Sequence, residues 1–337
     1  MAQSSERPRL ADRILVATLF AVIGGLIAWR VQYLAHGLGG DYLVLWRAAH
    51  VVFDGGDPHL LSDPGFPFYY PLPAVAMGFP FVRLRPENAA IAFTASSSAF
   101  LGFVLTRNGF ERVPVVLSVP FFAVAQFGQT STLIWALGMI PLAAGFTVMK
   151  PNVALALFAW NPRWRTVAVG AALLLGTFLV SPEWPSSWLS VLRKTTMHHA
   201  PIMVGFGAAT IVAFLRWRRP EARLLGVMAL VPHGLYFYDE LPLWLVATTR
   251  RESMLITVTS WFGLVGWFAT SGGLNENAHI RDMGPWVIAS IYLPCLFLVL
   301  RRPNVGTVPA IVESAAARLP AWIRGQPPND GEGSTTI

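Results

Sequence analysis

Apolar runs of near-spanning length recur from Ile14 to Leu300, and no single protein core could bury them all. Lipid must therefore be the solvent. In lipid every backbone N–H and C=O has to be satisfied within the protein, which leaves helices and closed barrels as the spanning structures. Runs of this length specify helices. Composition agrees: 54% of the 337 residues are hydrophobic and only 13% are charged, against roughly a quarter charged in a soluble domain. The expected fold is an all-α polytopic membrane protein.

The net charge of +7 raises the question of nucleic acid, but the basic residues fall in short clusters between apolar runs. Arg7/Arg9/Arg13, Arg83/Arg85, Arg163/Arg165, Arg216/Arg218/Arg219/Arg223, Arg250/Arg251 and Arg301/Arg302 read as positive-inside anchors. No basic stripe interleaves with aromatics on a polar face, so nucleic acid is not an expected partner. The single cysteine, Cys295, excludes an intrachain disulfide and a cysteine-based metal site. Ile14 to Leu34 reads as a retained first span rather than a cleaved signal, because the stretch before it is polar and no small-residue cleavage site follows.

Taking the clusters as cytoplasmic predicts about twelve membrane segments. They are 13–35, 70–84, 88–105, 113–127, 130–148, 151–161, 166–180, 200–215, 223–237, 240–249, 253–270 and 285–300. Several, 151–161 and 240–249 above all, are too short for roughly 30 Å of hydrocarbon and are expected to be half-helices meeting a cavity. This division makes 1–305 one transmembrane domain and 306–337 a cytoplasmic tail. Within the tail, Pro309 to Arg324 is weakly amphipathic, and the end from Gln326 is expected to be disordered. Both termini are then cytoplasmic, in a membrane expected to be a bacterial inner (plasma) membrane. Arg107, Arg112 and Lys150 are the exceptions, placed outside or at depth.

The first external loop is the most informative. Gly39-Gly40-Asp41 precedes Tyr42 to Asp54, which reads as a short interfacial helix with Arg47, His50 and Asp54 on one face. Asp41 takes the N-cap position, where the helix dipole favours an ionised carboxylate. A plain cap and a catalytic carboxylate fit that position equally well. Gly55-Gly56-Asp57-Pro58-His59 follows, then Phe66-Pro67-Phe68-Tyr69-Tyr70-Pro71-Leu72-Pro73. An interfacial aromatic belt accounts for the rings but not for the packed glycines, prolines and aspartates.

In order, Asp41-Tyr-Leu-Val-Leu-Trp-Arg-Ala-Ala, Gly56-Asp57-Pro58 and Tyr69-Tyr70-Pro71-Leu72-Pro73-Ala74 resemble family 87 of the glycosyltransferases. These are GT-C-type, polyprenyl-phosphate-mannose-dependent α-1,2-mannosyltransferase-like membrane proteins. Gly128-Gln129-Thr130-Ser131 resembles the family's Gly-Gln-x-Asn segment, with Ser131 where Asn is usual. Lys150-Pro151-Asn152 and Pro232-His233 followed by Tyr238-Asp239 resemble two later elements. The similarity runs from about Gly39 to Leu245, and the collective order of short motifs carries it.

The resemblance implies a GT-C-like bundle that moves a sugar from a polyprenyl-phosphate donor to a hydroxyl of a lipid or glycan acceptor outside the cytoplasm. It implies neither metal nor cofactor. The leaving group is already a stable phosphate anion, so it needs cations more than a general acid, while the acceptor hydroxyl needs one base. The family assigns that base to the aspartate matching Asp41. Lys150, a charge interrupting an apolar stretch, suits the donor phosphate, although a snorkelling lysine explains it nearly as well. Arg193, Lys194, His198 and His199 read as further phosphate ligands or as a solvated charge run. Asp57, His59, Tyr69, Tyr70, Gln129, Asn152, His233, Tyr238 and Asp239 are candidates for the sugar and acceptor. Two other classes stay open: a transporter or flippase of lipid-linked or anionic solutes, and a non-catalytic membrane subunit on a degenerate transferase scaffold.

Overall fold

The computed structural model describes residues 8–37, 39–60, 67–194, 199–271, 280–308, 312–314, 317–318 and 320–326. Among them the regular structure is helical, and extended pairing is confined to isolated bridges of His199 with His233 and Val305 with Gln326. His198 and the tail beyond Gln326 lie outside the described residues.

Helix α1, Leu10–Trp29, runs on through a π-helical turn at Arg30–Leu34. Helix α2 is Tyr42–Phe53 and α3 is Pro86–Leu105. Helix α3 lies antiparallel along α1. Arg13 Nη2, near the start of α1, donates to Phe103 O at 3.1 Å, and at the other end Tyr33 Oη donates to Asn88 Oδ1 at 2.6 Å. Small residues build the seam: a Cβ on Gly24 would stand 2.6 Å from Ser98 Oγ, and one on Gly102 2.9 Å from the Phe20 ring. Such close approach supplies the packing that joins helices in lipid, where apolar surfaces have no water to escape. Enlarging Gly24 is expected to cost about 1–3 kcal/mol through overpacking.

The chain continues through α4 (Val119–Phe127), α5 (Ser131–Gly138), α6 (Pro151–Trp160), α7 (Trp164–Val180) and α8 (Trp184–Leu192). After a 3-10 stretch at Gly205–Arg216 come α9 (Pro220–Leu230), a 3-10 stretch at Tyr238–Val246 and α10 (Arg250–Ser271). Helices α11 (Ile280–Val287) and α12 (Leu293–Leu300) flank a π-helical turn. Leu15 and Leu26 on α1, Leu179 on α7 and Phe262 on α10 point outward, Leu179 with 90% of its surface uncovered. Apolar faces turned outward on separate helices mark an α-helical membrane protein.

Four helices among the described residues are long and apolar enough to cross a membrane: Leu10–Leu34, Pro86–Leu105, Arg250–Ser271 and Asp282–Leu300. A fifth candidate joins α7 and α8 but is bent by 105° at the break. Length and composition therefore support four or five spans among the described residues; Tyr42–Phe53, Leu72–Phe81, Pro151–Trp160 and Gly205–Arg216 are apolar but too short to cross as single helices. Proline is the local cause: it stands in the first turn of Leu72–Met77, Phe79–Phe81, Val113–Leu117, α4 and α6, restarting the helix each time.

The expected second span, 70–84, does not form one helix. Its two 3-10 turns lie against α2, with a Gly78 Cβ meeting Leu45 O at 2.4 Å, and Trp46 Nε1 donates to Leu84 O at 3.1 Å. The segment thus stays with α2 at the end of the bundle where α3 begins, and Arg83 and Arg85 go with it. Conversely, Arg107 follows the end of α3 beside Arg13, and Arg112 lies within electrostatic reach of Glu221 and Arg302. Two of the three charges that broke the alternating pattern thus join the basic end.

That end is a dense ionic network. Arg302 Nη2 donates to Glu252 Oε2 at 2.6 Å and Nη1 to Val246 O at 2.8 Å, while Arg301 Nη2 reaches Glu252 Oε1 at 2.6 Å. Arg223 donates to the carbonyls of Ala159, Trp160, Trp217 and Arg218, closing helix C-termini whose oxygens have no helical partner. Arg218, buried, holds Glu313 with both Nη atoms at 2.8 and 2.6 Å and so ties part of the tail to the bundle.

Candidate functional site

At the opposite end, four chain segments meet around a few polar side chains. Gly40 adopts φ +55° and Gly128, which ends α4, adopts φ +65°, conformations that cost glycine little. A Cβ on Gly40 would stand 2.7 Å from Phe127 O. This close approach lets the Asp41 N–H donate to Phe127 O at 2.7 Å, locking the first loop to the α4–α5 turn.

Asp41 occupies the N-cap position of α2, but its side chain makes no capping hydrogen bond. Instead Gln129 Nε2 donates to Asp41 Oδ2. The same amide's Oε1 accepts from Lys150 Nζ at 3.3 Å. A carboxylate accepts and an ammonium donates, so these two neighbours fix which way the Gln129 amide points. Lys150 Nζ also donates to Ser131 Oγ at 3.0 Å and pairs with Asp239 Oδ1 at 2.5 Å. Ser131 Oγ donates to Asp239 Oδ1 at 3.0 Å, and Asn152 Nδ2 to Oδ2 at 3.2 Å. Lys150 lies 5.4 Å from the Tyr238 ring centre, and Tyr70 is within electrostatic reach of Lys150, Asp41 and Asp239.

Burial holds the Asp41 carboxyl above the ordinary aspartate range, against the lowering pulls of the Gln129 hydrogen bond and of Lys150. This differs from a helix-dipole carboxylate kept strongly ionised. Desolvation outweighs the dipole because the side chain turns away from the α2 N–H groups into the cluster. A carboxylate made more basic in this way is suited to taking a proton.

Of the residues singled out in the sequence, Asp41, Gln129, Lys150, Asn152, Asp239, Tyr70 and Tyr238 come together here. Asp57 and His59 form a separate clip: His59 Nδ1 lies 2.8 Å from Asp57 Oδ1 and Nε2 lies 3.0 Å from Tyr70 O. Burial opposes ionisation of Asp57, but hydrogen bonds from the His59 N–H, the Ser187 hydroxyl and the His59 ring hold its carboxyl below the usual range. Trp188 Nε1 donates to Tyr69 O at 2.8 Å, so α8 grips the segment that carries Tyr70. Tyr69 thus contributes its backbone to the clip.

Arg193 and Lys194 are exposed at the end of α8, and no described hydrogen bond or ion pair joins them to Lys150 or Asp41. His199 exchanges backbone hydrogen bonds with His233, each 3.2 Å. His233 places Nε2 3.2 Å from Glu240 Oε1 and 3.1 Å from Tyr292 Oη, one residue pair away from the cluster rather than in it. Glu240 was weighed with Asp239 as a lining carboxylate, whereas Ser131 was not expected as a ligand, nor Tyr292. Ser131 was legible as the departure inside its motif. Tyr292, inside an apolar run, gave no signal.

Beside the cluster lies a cavity of about 380 Å³, lined by apolar side chains that include Met77, Phe81, Phe93, Phe100, Leu133 and Met149. Met149 directly precedes Lys150, and Ser97 on the cavity wall accepts from Thr132, next to Ser131, at 3.0 Å. The apolar space thus borders residues next in the chain to Lys150 and bonded to the neighbour of Ser131, while Lys150 itself is not on its wall. No family model, curated protein or solved structure matches the chain.

Proposed function

We propose that the chain is a membrane glycosyltransferase that moves a sugar from a polyprenyl-phosphate donor to an acceptor hydroxyl by an inverting, metal-independent displacement. The observation that carries this reading is the convergence of Asp41, Gln129 and Lys150 beside an apolar cavity. A lipid-phosphate donor has two chemically distinct halves, an apolar chain and an anion, and the cavity and Lys150 match them in that order. Asp41 Oδ accepts the proton of the acceptor hydroxyl as its oxygen attacks the anomeric carbon. The bond from that carbon to the phosphate oxygen breaks, and the departing phosphate takes its charge to Lys150. Gln129 holds base and cation in register. Mannose is the sugar the motif resemblance suggests, and the acceptor is a lipid or glycan.

In this reading the arginine-rich end faces the cytoplasm with both termini, and the Asp41 end faces outward, across a bacterial inner membrane. A transporter or a non-catalytic subunit built on the same scaffold predicts no turnover. The test is transfer of labelled sugar from a panel of polyprenyl-phosphate donors by purified protein, with the anomeric configuration of the product determined. Turnover with inversion in the wild type and its loss in Asp41→Asn support the proposal; no turnover with any donor, or retention of configuration, overturns it.

A further inference from the structure

Three donors converge on Asp239 from outside its own element. Lys150 Nζ at 2.5 Å and Ser131 Oγ at 3.0 Å meet Oδ1, and Asn152 Nδ2 at 3.2 Å meets Oδ2. Ser131 opens α5, and Lys150 and Asn152 flank the proline that opens α6. An ammonium, a hydroxyl and an amide N–H beside two helix starts form a cradle for an oxyanion. A carboxylate is one occupant of such a cradle, and the phosphate of a lipid phosphoester is another.

We infer that Asp239 is the resident anion of this cradle and that a lipid phosphate displaces it, the donor's phosphodiester on entry and the monoester that transfer leaves behind. This rests on the reading of Lys150 as the donor-phosphate site. Lys150 cannot hold the phosphate closely while keeping Asp239 at 2.5 Å, because two anions on one ammonium repel each other. The backbone supplies a means of release. Phe237, directly before Tyr238–Val246, adopts φ +70° and ψ −33°, a costly conformation for a residue with a Cβ. Relaxing that turn shifts Tyr238 and Asp239. Donor entry thereby becomes an exchange of counter-ions, so the ammonium always has an anionic partner.

Binding of polyprenyl monophosphate to the full chain in detergent tests this. Asp239→Asn is expected to bind at least about tenfold more tightly than wild type, and to lose that gain when combined with Lys150→Met. In the wild type, saturating ligand is expected to speed hydrogen exchange across 237–241, a readout that needs no variant to fold. Unchanged or weaker binding by folded Asp239→Asn, or slower or unchanged exchange across 237–241, overturns the exchange of counter-ions. The phosphate role of Lys150 survives that result if the wild type binds and Lys150→Met does not. No binding by either wild type or Asp239→Asn overturns both readings.

Discussion

The two polar ends of the bundle are built from the same kinds of charge and used differently. At the arginine-rich end, Arg302 contacts Glu221, Glu252, Thr248 and Val246 O, and Arg223 closes four backbone carbonyls. Most of these guanidiniums answer helix ends and carboxylates that would otherwise stand unpaired, which is structural work. At the Asp41 end one buried ammonium serves two carboxylates, one directly and one through Gln129, and Met149, the residue before it, lines an apolar cavity. Helix α6 connects the two, with Lys150 before its first residue and Trp160 O, at its last, accepting from Arg223. Ten residues at about 1.5 Å each separate them by roughly 15 Å. Redundant pairing marks a brace, whereas a charge shared among groups from distant loops marks a place where a ligand can enter.

The contrast can be broken by substitution. The largest effect is expected for Arg302→Met, which leaves Glu252 with less compensation in a buried setting and costs about 3–5 kcal/mol of stability. Thermal unfolding should show that loss, while transfer per folded molecule stays near wild type. Lys150→Met should do the reverse, slowing transfer about 10²–10³-fold. Steady-state kinetics on the folded fraction measures it. Gly40→Ala puts a Cβ against Phe127 O in a positive-φ conformation, and is expected to lower both stability and transfer, by about 1–3 kcal/mol in unfolding measurements.

The smallest effect belongs to Gln129→Ala. Transfer requires ionised Asp41, so the rate falls as pH drops through its folded pKa, which burial places above the ordinary 3.8. The hydrogen bond from Gln129 lowers that pKa, so its removal moves the acid limb of the pH–rate profile to higher pH. A shift to lower pH, or none, contradicts the role given to Gln129.

Much of the cluster was legible before the fold was seen. Lys150 stood out as a charge interrupting an apolar stretch and Asp41 as the carboxylate at a glycine-flanked helix start, while Gln129, Asn152 and Asp239 were marked chiefly by the motif resemblance. Their meeting was not legible, because it depends on Gly40 and Gly128 bringing two loops within hydrogen-bond range. The second span failed because 70–84 is apolar enough but its prolines break it into turns that pack on α2. Of the two readings left open for Asp41, it takes the N-cap position, but a partner 88 residues away in sequence claims its carboxylate. Among the described residues Arg13, Arg218, Arg223, Arg301 and Arg302 gather at one end, while Arg83 and Arg85 lie at the other. Once α3 is taken as the returning helix, Arg107 and Arg112 need no special account.

The most direct measurement is single-turnover transfer of labelled sugar by Asp41→Asn, compared with wild type at matched folded protein. Asparagine keeps the shape and cannot take the proton, so the rate constant is expected to fall about 10²–10⁴-fold with the unfolding midpoint little changed. A variant that folds normally and transfers sugar at the wild-type rate would show that Asp41 is not the base.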